Sequence, residues 1–390
     1  MMVRTKRDER GHLLMKKKRL LSYCLALLLV LSACGGKTAD VTPAPPELPS
    51  LPPRTEAPSP TPTPTSEPEP EYTGPLNPLT GLPMGEEWVG RRPVAIMLNN
   101  LKEAQPQLGQ SQADIIYEAL EEGGITRMMG VYQSLDGVGM VGSIRSARTY
   151  YLELALAHDA VFIHAGGSDE PKYEDAYGKI KAWGVTSLDG VRGPYMSNSV
   201  EGNLMWRDPA RKKNNGSVHS VVTTGEKIQE VFANASFRTE HEDGFVYEMA
   251  FAEDGTPAGG AAAGVITVPF SNYKTGKFTY DAGTGLYMIE EYGKPYKDGS
   301  TGEQVGVTNV VVVRTGHQNT GDSYGHIKVD LDGTGTGYFA CGGKVIDILW
   351  SKERPGGQFH YTDLDGNPIV FGRGKTYVNI VPTDAEIAFE

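Results

Sequence analysis

The sequence predicts an α/β fold with a β-rich C-terminal part, and two observations lead to this class. Residues 94–164 show the order strand, strand–turn–strand, helix and strand, which is typical of α/β proteins. From about residue 264 the chain consists of short runs of β-forming residues separated by Gly, Asp and Asn. That texture indicates a mostly antiparallel sheet. We therefore expect an N-terminal α/β domain over residues 76–250 and a β-rich domain over residues 264–390.

The first predicted elements are strands. Val94–Leu98 is a short apolar run after a proline and is typical of a buried strand. Residues 113–134 contain two apolar runs on either side of Gly123 and Gly124, a pattern that predicts strand, turn and strand. A helix that extends to Leu120 is the alternative for the first of these runs.

Three helices and one more strand are predicted next. Residues 150–157 carry apolar side chains at helical spacing, and residues 159–168 form a strand-like run that ends in glycines. Residues 169–183 predict a second helix. A third helix is expected over residues 223–233, because its first residues, TTGE, fit a capping box.

The N-terminus has the pattern of a bacterial lipoprotein signal peptide over residues 1–33. A basic stretch at residues 16–19 precedes an apolar run at residues 20–31, which is too short for an ordinary membrane span. The following quartet, LSAC, matches the lipobox, in which Cys34 is lipidated and becomes the first residue. An ordinary signal peptide with a chance cysteine is the alternative, and Met15 is an alternative start of translation.

Residues 34–75 are dominated by Pro, Thr, Ser and Glu and predict a disordered tether. Prolines favour the polyproline conformation, which extends by about 3 Å per residue. The folded part is thus expected to stand away from the membrane, on its extracytoplasmic face.

Charge and cysteine content limit the partners. The whole chain has 37 basic and 48 acidic residues, and residues 1–33 contain 8 and 2 of them, so the mature chain carries 29 and 46, a formal charge of −17. This charge argues against nucleic acid as a partner. After maturation Cys341 has no cysteine left for an intrachain disulfide. We predict no cofactor and no metal site, because phosphate-binding loops and zinc motifs are absent from the sequence.

Seven segments, spread over nearly the whole chain after the tether, resemble the YerB-like lipoproteins. They are NPLTGLP (77–83), RPVAIMLNN (92–100), SQADIIYEALEEGGITRMMGVY (111–132), VGSIRSARTYYLELALAHDAVFIHAGGS (141–168), WRD (206–208), GTGTGYFACGGKVIDILWSKE (333–353) and YTDLDGNPIVFGRGKTYVNIVP (361–382). The resemblance implies an extracytoplasmic lipoprotein with a layered α/β sandwich, made of two sheets and a helical layer. The resemblance implies no activity, because the function of this family's domains is not known.

The resemblance also suggests which positions belong to the family's signature. The matching positions are Gln112, Asp114, Glu118, Arg127, Arg145, Arg148, His164, Ser168 and Arg207. Thr149 and Tyr338 depart from the expected pattern, and neither departure removes a charged group. We take eight of these positions, all except Gln112, as candidate ligand-binding residues.

Arg145 and Arg148 stand just before the helix predicted at residues 150–157. If that helix begins near Ser143 or Ser146, both arginines lie in its first turn, where the helix dipole disfavours cations. Two guanidinium groups beside the unpaired N–H groups of a first turn would form a site for a carboxylate or a phosphate.

Internal carboxylates are the alternative partners of the two arginines. Asp114, Glu118 and Glu122 precede them in the chain, and any of these could fill the guanidinium forks. We predict that Glu118 or Asp114 partly neutralises the pair. We further predict that one arginine pairs internally while the other faces a cleft beside His164.

His164 ends a predicted strand, the position at which active-site groups of α/β sheets are often found. A hydrogen-bonded structural histidine is the alternative. The sequence contains no nucleophile elbow and no nucleotide-binding loop. Paired carboxylates for glycoside cleavage stay open, with Glu118 and Glu122 as weak candidates. The motifs DLDGTG and DLDGN lack the full calcium-loop pattern and predict turns.

Together these features predict a lipid-anchored envelope protein that is a non-catalytic binding or regulatory module for a protein or a cell-wall ligand. The alternative is a hydrolase or lyase that acts on peptidoglycan or another envelope glycan through a carboxylate and His164. A transporter-linked solute receptor is a weaker third possibility, because the chain lacks two matching lobes.

Cys34→Ala tests the predicted anchor. The lipid on Cys34 is the only membrane attachment that the sequence predicts, so this variant should fold normally but leave the membrane fraction. The measurement is the distribution of the variant and of the wild-type protein between membranes and soluble fractions. A variant that resists extraction as the wild type does would contradict the lipobox.

Overall fold

The computed structural model describes residues 72–197, 203–353 and 355–390. The predicted signal peptide, Cys34 and nearly all of the predicted tether lie outside these residues. Among the described helices, none combines the length and the apolar character that crossing a membrane requires.

Nine strands and four α-helices are found in the described part of the chain before residue 234. They are β1 (Val94–Asn99), β2 (Ile115–Leu120), β3 (Thr126–Tyr132), β4 (Met140–Gly142), α1 (Thr149–Ala157), β5 (Val161–His164), α2 (Ala176–Ala182), β6 (Ser187–Asp189), β7 (Met196–Ser197), β8 (Met205–Arg207), α3 (Pro209–Asn215), β9 (Val221–Thr224) and α4 (Gly225–Ala233). Short 3-10 helices include Lys102–Ala104, Glu122–Gly124 and Ser217–His219.

Strands dominate the described chain after residue 249. They are β10 (Ala250–Ala252), β11 (Ala261–Ala262), β12 (Val265–Pro269), β13 (Thr275–Asp281), β14 (Leu286–Glu291), β15 (Lys294–Pro295), β16 (Gly306–Val307), β17 (Asn309–Thr315), β18 (His317–Asn319), β19 (Ile327–Val329), β20 (Gly333–Cys341), β21 (Lys344–Lys352), β22 (His360–Thr362), β23 (Val370–Gly372), β24 (Thr376–Pro382) and β25 (Ala388–Phe389). The prediction of a β-rich C-terminal part is confirmed.

The local predictions agree with most of the N-terminal elements. The buried strand and the strand–turn–strand unit are confirmed as β1, β2 and β3, so the alternative of a helix to Leu120 is wrong. Helix α1 is confirmed within one residue. Helix α4 begins at Gly225, two residues later than predicted. Its cap is Thr224, whose hydroxyl accepts a hydrogen bond from the N–H of Lys227 at 3.2 Å.

Two helices differ from the prediction. Helix α2 covers only the last part of the predicted span, because Asp175 caps it through a hydrogen bond from the N–H of Gly178 at 2.8 Å. Helix α3 was not predicted. Its signal is present in the sequence, since Asp208 caps the helix and Pro209 occupies its first position.

One eleven-stranded sheet runs through both predicted segments. Its strand order is β11-β21-β20-β17-β24-β2-β3-β1-β5-β6, and β22 pairs with β21. Strand β24 is parallel both to β17 and to β2, so the last long strand of the chain joins the two halves of the sheet. The described residues belong to one compact unit that extends over residues 69–390. The predicted boundary between residues 250 and 264 therefore stays a prediction.

The central strands are buried on both faces. In β1, Ala95 and Met97 belong to one hydrophobic cluster, whereas Ile96 and Leu98 belong to the other. The same alternation holds along β24. Because successive side chains of a strand point to opposite faces, a continuous apolar run places a core on each side of the sheet.

Candidate functional site

Residues 143–148 connect β4 to α1 and carry both arginines. Backbone hydrogen bonds hold this connection at the carboxyl end of β1, where the N–H of Arg145 donates to the carbonyl of Met97 at 3.0 Å. The N–H of Ala147 donates to the carbonyl of Gly166, just beyond β5, at 2.8 Å. The connection thus lies where side chains at the ends of parallel strands meet.

Helix α1 begins at Thr149, so the prediction that Arg145 and Arg148 lie in its first turn is wrong. Arg148 is the residue before the helix, and Arg145 lies three residues earlier. The carboxylate of Glu174 accepts a hydrogen bond from the N–H of Thr149 at 2.5 Å. An internal acid therefore occupies the start of the helix, which a ligand would otherwise use.

Arg148 is buried and paired internally. Its Nε and Nη2 atoms donate to Oε1 of Glu122 at 2.7 and 2.5 Å, and Nη2 lies 3.3 Å from Oε2 of Glu121. Burial opposes the charge of Arg148, but the two carboxylates raise its pKa above the usual value. Of the partners considered from the sequence, Glu122 is confirmed.

Arg127 completes this buried ion cluster, which consists of Glu121, Glu122, Arg127 and Arg148. Its Nη2 lies 2.9 Å from Oε2 of Glu121, and its Nη1 donates to the carbonyl of Ser146 at 2.6 Å. Burial raises the pKa of Glu121 to about 8, against the opposing charges of Arg127 and Arg148. For Glu122, burial is outweighed by the hydrogen bond from Glu121 and the charge of Arg148, which lower its pKa to about 2. The pKa values of the two acids are thus shifted in opposite directions.

Asp114 and Glu118 do not neutralise the arginines, so that prediction is wrong. Asp114 accepts hydrogen bonds from the side chain of Asn77 and the N–H of Gln133, and burial raises its pKa to about 6. Glu118 is fully buried and lies 3.0 Å from Nζ of Lys274. Of the two weak candidates for glycoside cleavage, Glu118 is thus enclosed and Glu122 is bound by Arg148.

Arg145 differs from its two neighbours. It is half-buried, and its Nη1 donates to the carbonyl of Val218 at 2.9 Å. No carboxylate of the described residues lies within ion-pair distance of Arg145, although Arg127 and Arg148 are both paired. Burial and the positive charge of Arg127 lower the pKa of Arg145 to about 10. A guanidinium in this position has unused capacity for an anion.

Arg207 and His219 lie around the same turn. The exposed Arg207 donates through Nη1 to the carbonyl of Ser217, next to the carbonyl that Arg145 contacts. His219 contacts Asn99 through its Nδ1 at 2.8 Å, and burial and the charge of Arg145 lower its pKa. We call Arg145 and Arg207 the cationic surface, and His219 lies beside it. Sequence reasoning missed His219, which has no motif around it.

His164 and Ser168 make internal hydrogen bonds. His164 is fully buried, with Nδ1 donating to the carbonyl of Gly166 at 2.7 Å and Nε2 accepting from the hydroxyl of Ser187 at 2.6 Å. Burial lowers the pKa of His164, which suits this neutral ring. Ser168 accepts a hydrogen bond from the N–H of Ala176. The prediction of an arginine beside His164 in a cleft is therefore wrong, and the structural alternative for His164 is confirmed.

A cavity of 530 Å³ lies elsewhere, between the start of α1 and the β18–β19 hairpin. Its lining includes Glu153, Lys172, Glu174, Lys328 and Asp330, and none of the eight predicted site residues. Charges of both signs line this cavity, so it does not show the one-sided charge of an anion site.

Other polar groups in the described ranges do not form a metal centre. No cluster of three or more His, Cys, Asp or Glu side chains that could hold a metal ion is found there. In the DLDGN motif, the carboxylate of Asp363 accepts hydrogen bonds from the N–H groups of Asp365 and Asn367, as expected for a turn. Cys341 is a buried thiol, and burial raises its pKa to about 11.

Comparison with known proteins gives two matching family models. The model described as "Protein of unknown function (DUF3048) N-terminal domain" matches residues 79–238, and the corresponding C-terminal domain model matches residues 266–378. The chain is 30% identical over 307 residues to the YerB protein of Bacillus subtilis (strain 168), which carries the name of a lipoprotein. That match covers 78% of this chain and 86% of the relative. The crystal structure of Bacillus subtilis YerB is similar with a TM-score of 0.66 and 29% identity, over 80% of this chain and 99% of the other.

Single alanine variants should separate the two arginines. Arg148→Ala leaves Glu122 without its guanidinium in a largely buried site and should lower the free energy of unfolding by about 3 kcal/mol. Arg145→Ala loses a hydrogen bond to Val218 but relieves repulsion with Arg127, so its change should be below about 1 kcal/mol. The measurement is urea unfolding of both variants. Equal losses would contradict the assignment of different roles.

The buried acid Glu121 predicts a pH dependence of stability. Its folded pKa of about 8 lies above the ordinary value of 4.5, so the protonated form is favoured in the folded protein. The stabilisation is fully present below pH 4.5 and is lost as the pH rises from there through about 8. Glu121→Gln should remove this loss, and Glu290→Gln, at a half-buried residue that pairs with Lys277, should not. The measurement is the midpoint of thermal unfolding at a series of pH values. If this midpoint changes with pH in the same way in the wild type and in Glu121→Gln, the effect is ruled out.

Proposed function

Because the chain belongs to the YerB-like family of proteins with DUF3048 domains, we propose that it is a lipid-anchored protein on the extracytoplasmic face of the cell membrane. Its folded part binds an anionic group of a protein or cell-wall ligand through the cationic surface. It acts as a non-catalytic binding or regulatory module. The lipid on Cys34 and the tether at residues 34–75 place this module within reach of the envelope.

Arg145 is the observation that carries this proposal. The neighbouring Arg127 and Arg148 lie within ion-pair distance of Glu121 and Glu122, whereas Arg145 contacts a single carbonyl oxygen. An arginine fork presents two parallel N–H groups that match a carboxylate or a phosphate. Binding an anion would also relieve the repulsion between Arg145 and Arg127.

The alternative of an envelope hydrolase or lyase has less support. Both nitrogens of His164 are engaged in hydrogen bonds, and the carboxylate of Glu118 is enclosed with Lys274. Neither proposed catalytic group is left with an atom that can reach a glycan.

We also infer a layered α/β sandwich. The two hydrophobic clusters on opposite faces of the eleven-stranded sheet support this arrangement, because each face needs a covering layer. Helices α1 and α2 contact each other, and α1 contacts β5 and β19, which supports a helical layer on one of these faces.

Anion binding can be measured with the mature protein by thermal unfolding in increasing sulfate. A ligand at ten times its Kd adds about 1.4 kcal/mol of stability, so the wild-type midpoint should rise. Arg145→Ala should lose most of this rise and Arg145→Lys should keep part of it, because a lysine cannot make the bidentate contact. Arg192→Ala is the matched control, since Arg192 is an exposed arginine that already pairs with Asp169 at 2.5 Å.

The same variants should be incubated with purified cell wall. We expect the wild type to sediment with the wall, and Arg145→Ala to sediment less. A sulfate response that Arg145→Ala retains in full would exclude the cationic surface as the site. Soluble muropeptides released by the wild type would contradict a non-catalytic role.

A further inference from the structure

Lys274 is enclosed in the protein interior. Its exposed fraction is 0%, a state in which lysine is rarely found. Three polar side chains share this enclosure: Asn100 at 0%, Glu118 at 0% and Glu291 at 3% exposure. Lys274 precedes β13, while Asn100 follows β1, so the cluster connects segments that are distant in sequence.

A single carboxylate oxygen brings an amine and an amide together. Oε1 of Glu118 lies 3.0 Å from Nζ of Lys274 and accepts a hydrogen bond from Nδ2 of Asn100 at 2.7 Å. The other oxygen of Glu118 accepts from the hydroxyl of Tyr377 at 2.6 Å. Glu118 is thus held in place between two nitrogen atoms that could exchange a proton through it.

The surroundings act on the charge of the Lys274 amine in opposite directions. The rings of Phe270 and Tyr292, with centres 5.8 and 5.2 Å from Nζ of Lys274, favour the ammonium form. Burial lowers the pKa of Lys274 below its usual value, although Glu118 opposes this shift. A neutral amine is a nucleophile, whereas an ammonium group is not. Glu291 contacts the same Nζ and restricts its position.

Further hydrogen bonds hold the amide of Asn100 in place. Nε2 of Gln105 donates to Oδ1 of Asn100 at 3.3 Å, and Nδ2 of Asn100 also donates to the hydroxyl of Thr126 at 3.0 Å. A donor on the carbonyl oxygen stabilises the negative charge that develops there when a nucleophile attacks the carbon.

We propose that Lys274 and Asn100 form an intramolecular amide cross-link, with Glu118 as the acid–base group. Nζ of Lys274 attacks Cγ of Asn100, and Glu118 takes the proton that the amine gives up. Glu118 then returns this proton to Nδ2 as the Cγ–Nδ2 bond breaks, and ammonia leaves. One N–C bond forms and one breaks, so the reaction needs no oxidant and no further reactant.

This cross-link would give the protein a covalent constraint that its cysteines cannot supply. The sequence has only Cys341 beyond the lipidation site, and it is a free thiol. A bond between Asn100 and Lys274 closes a long loop, which restricts the unfolded chain in the way that a disulfide does.

Mass spectrometry of the purified full chain tests the proposal directly. Trypsin cannot cleave after a lysine whose amine is acylated, so the digest should contain residues 92–102 joined to residues 239–277. The mass of this branched peptide should be lower than the sum of its two parts by one ammonia. Fragmentation should place the bond on Asn100 rather than on Asn99.

Two variants complete the test under denaturing conditions. Glu118→Gln removes the proton carrier and should leave both peptides unlinked, whereas Lys277→Ala, which removes an exposed lysine paired with Glu290 at 3.6 Å, should retain the cross-link. Unlinked peptides from the wild-type protein would overturn the proposal, and this result does not depend on whether any variant folds. A loss of water with a bond between Lys274 and Glu291 would overturn the assignment of Asn100.

Discussion

The pairing of β24 on both of its edges is the constraint on which the rest of the structure depends. Residues Thr376–Pro382 are parallel to β17 on one side and to β2 on the other. Without this strand the sheet would be two separate halves, each with an open edge in its apolar core. The N-terminal half, which carries the cationic surface, is therefore completed only by residues near the C-terminus. Such non-local pairing must await synthesis of nearly the whole chain.

The same sheet explains why two arginines stand before α1. Glu121 follows strand β2 and is buried. A carboxylate that is charged in the interior must be paired with cations, or its pKa rises so that it is protonated. Arg127 and Arg148 are the cations near Glu121, and burial raises its pKa in spite of them. Arg145 is held by backbone bonds in the same connection but is directed to Val218. Arg148 therefore pairs with buried acids, whereas Arg145 contacts a carbonyl oxygen and no carboxylate of the described residues.

Local signals in the sequence were sufficient for the elements but not for the charge partners. Strands β1 to β3 and helices α1 and α4 follow from apolar runs, glycines and caps, all of which act over a few residues. Which acid meets Arg148 depends on the path of the turn after β2, where Gly123 and Gly124 have φ values of 70° and 76°. Only glycine adopts this left-handed conformation readily, and it carries Glu122 back toward α1. The two glycines predicted a turn, but not its direction, and Lys274 as the partner of Glu118 lies too far along the chain for any local rule.

The net negative charge of the chain and its cationic surface would act on an anionic ligand in opposite ways. The formal charge is −11 for the whole chain and would be −17 after removal of the predicted signal peptide, so anionic polymers are repelled at long range, within the limit that salt screening sets. A ligand that reaches Arg145 must gain enough from direct contacts to overcome this repulsion, and geometry then decides which anions bind. Rising ionic strength weakens both terms, but it weakens the long-range repulsion more than the contact with a half-buried guanidinium. If the proposed anion binding takes place, this balance of charge makes it more selective than the non-specific attraction that a basic protein would show.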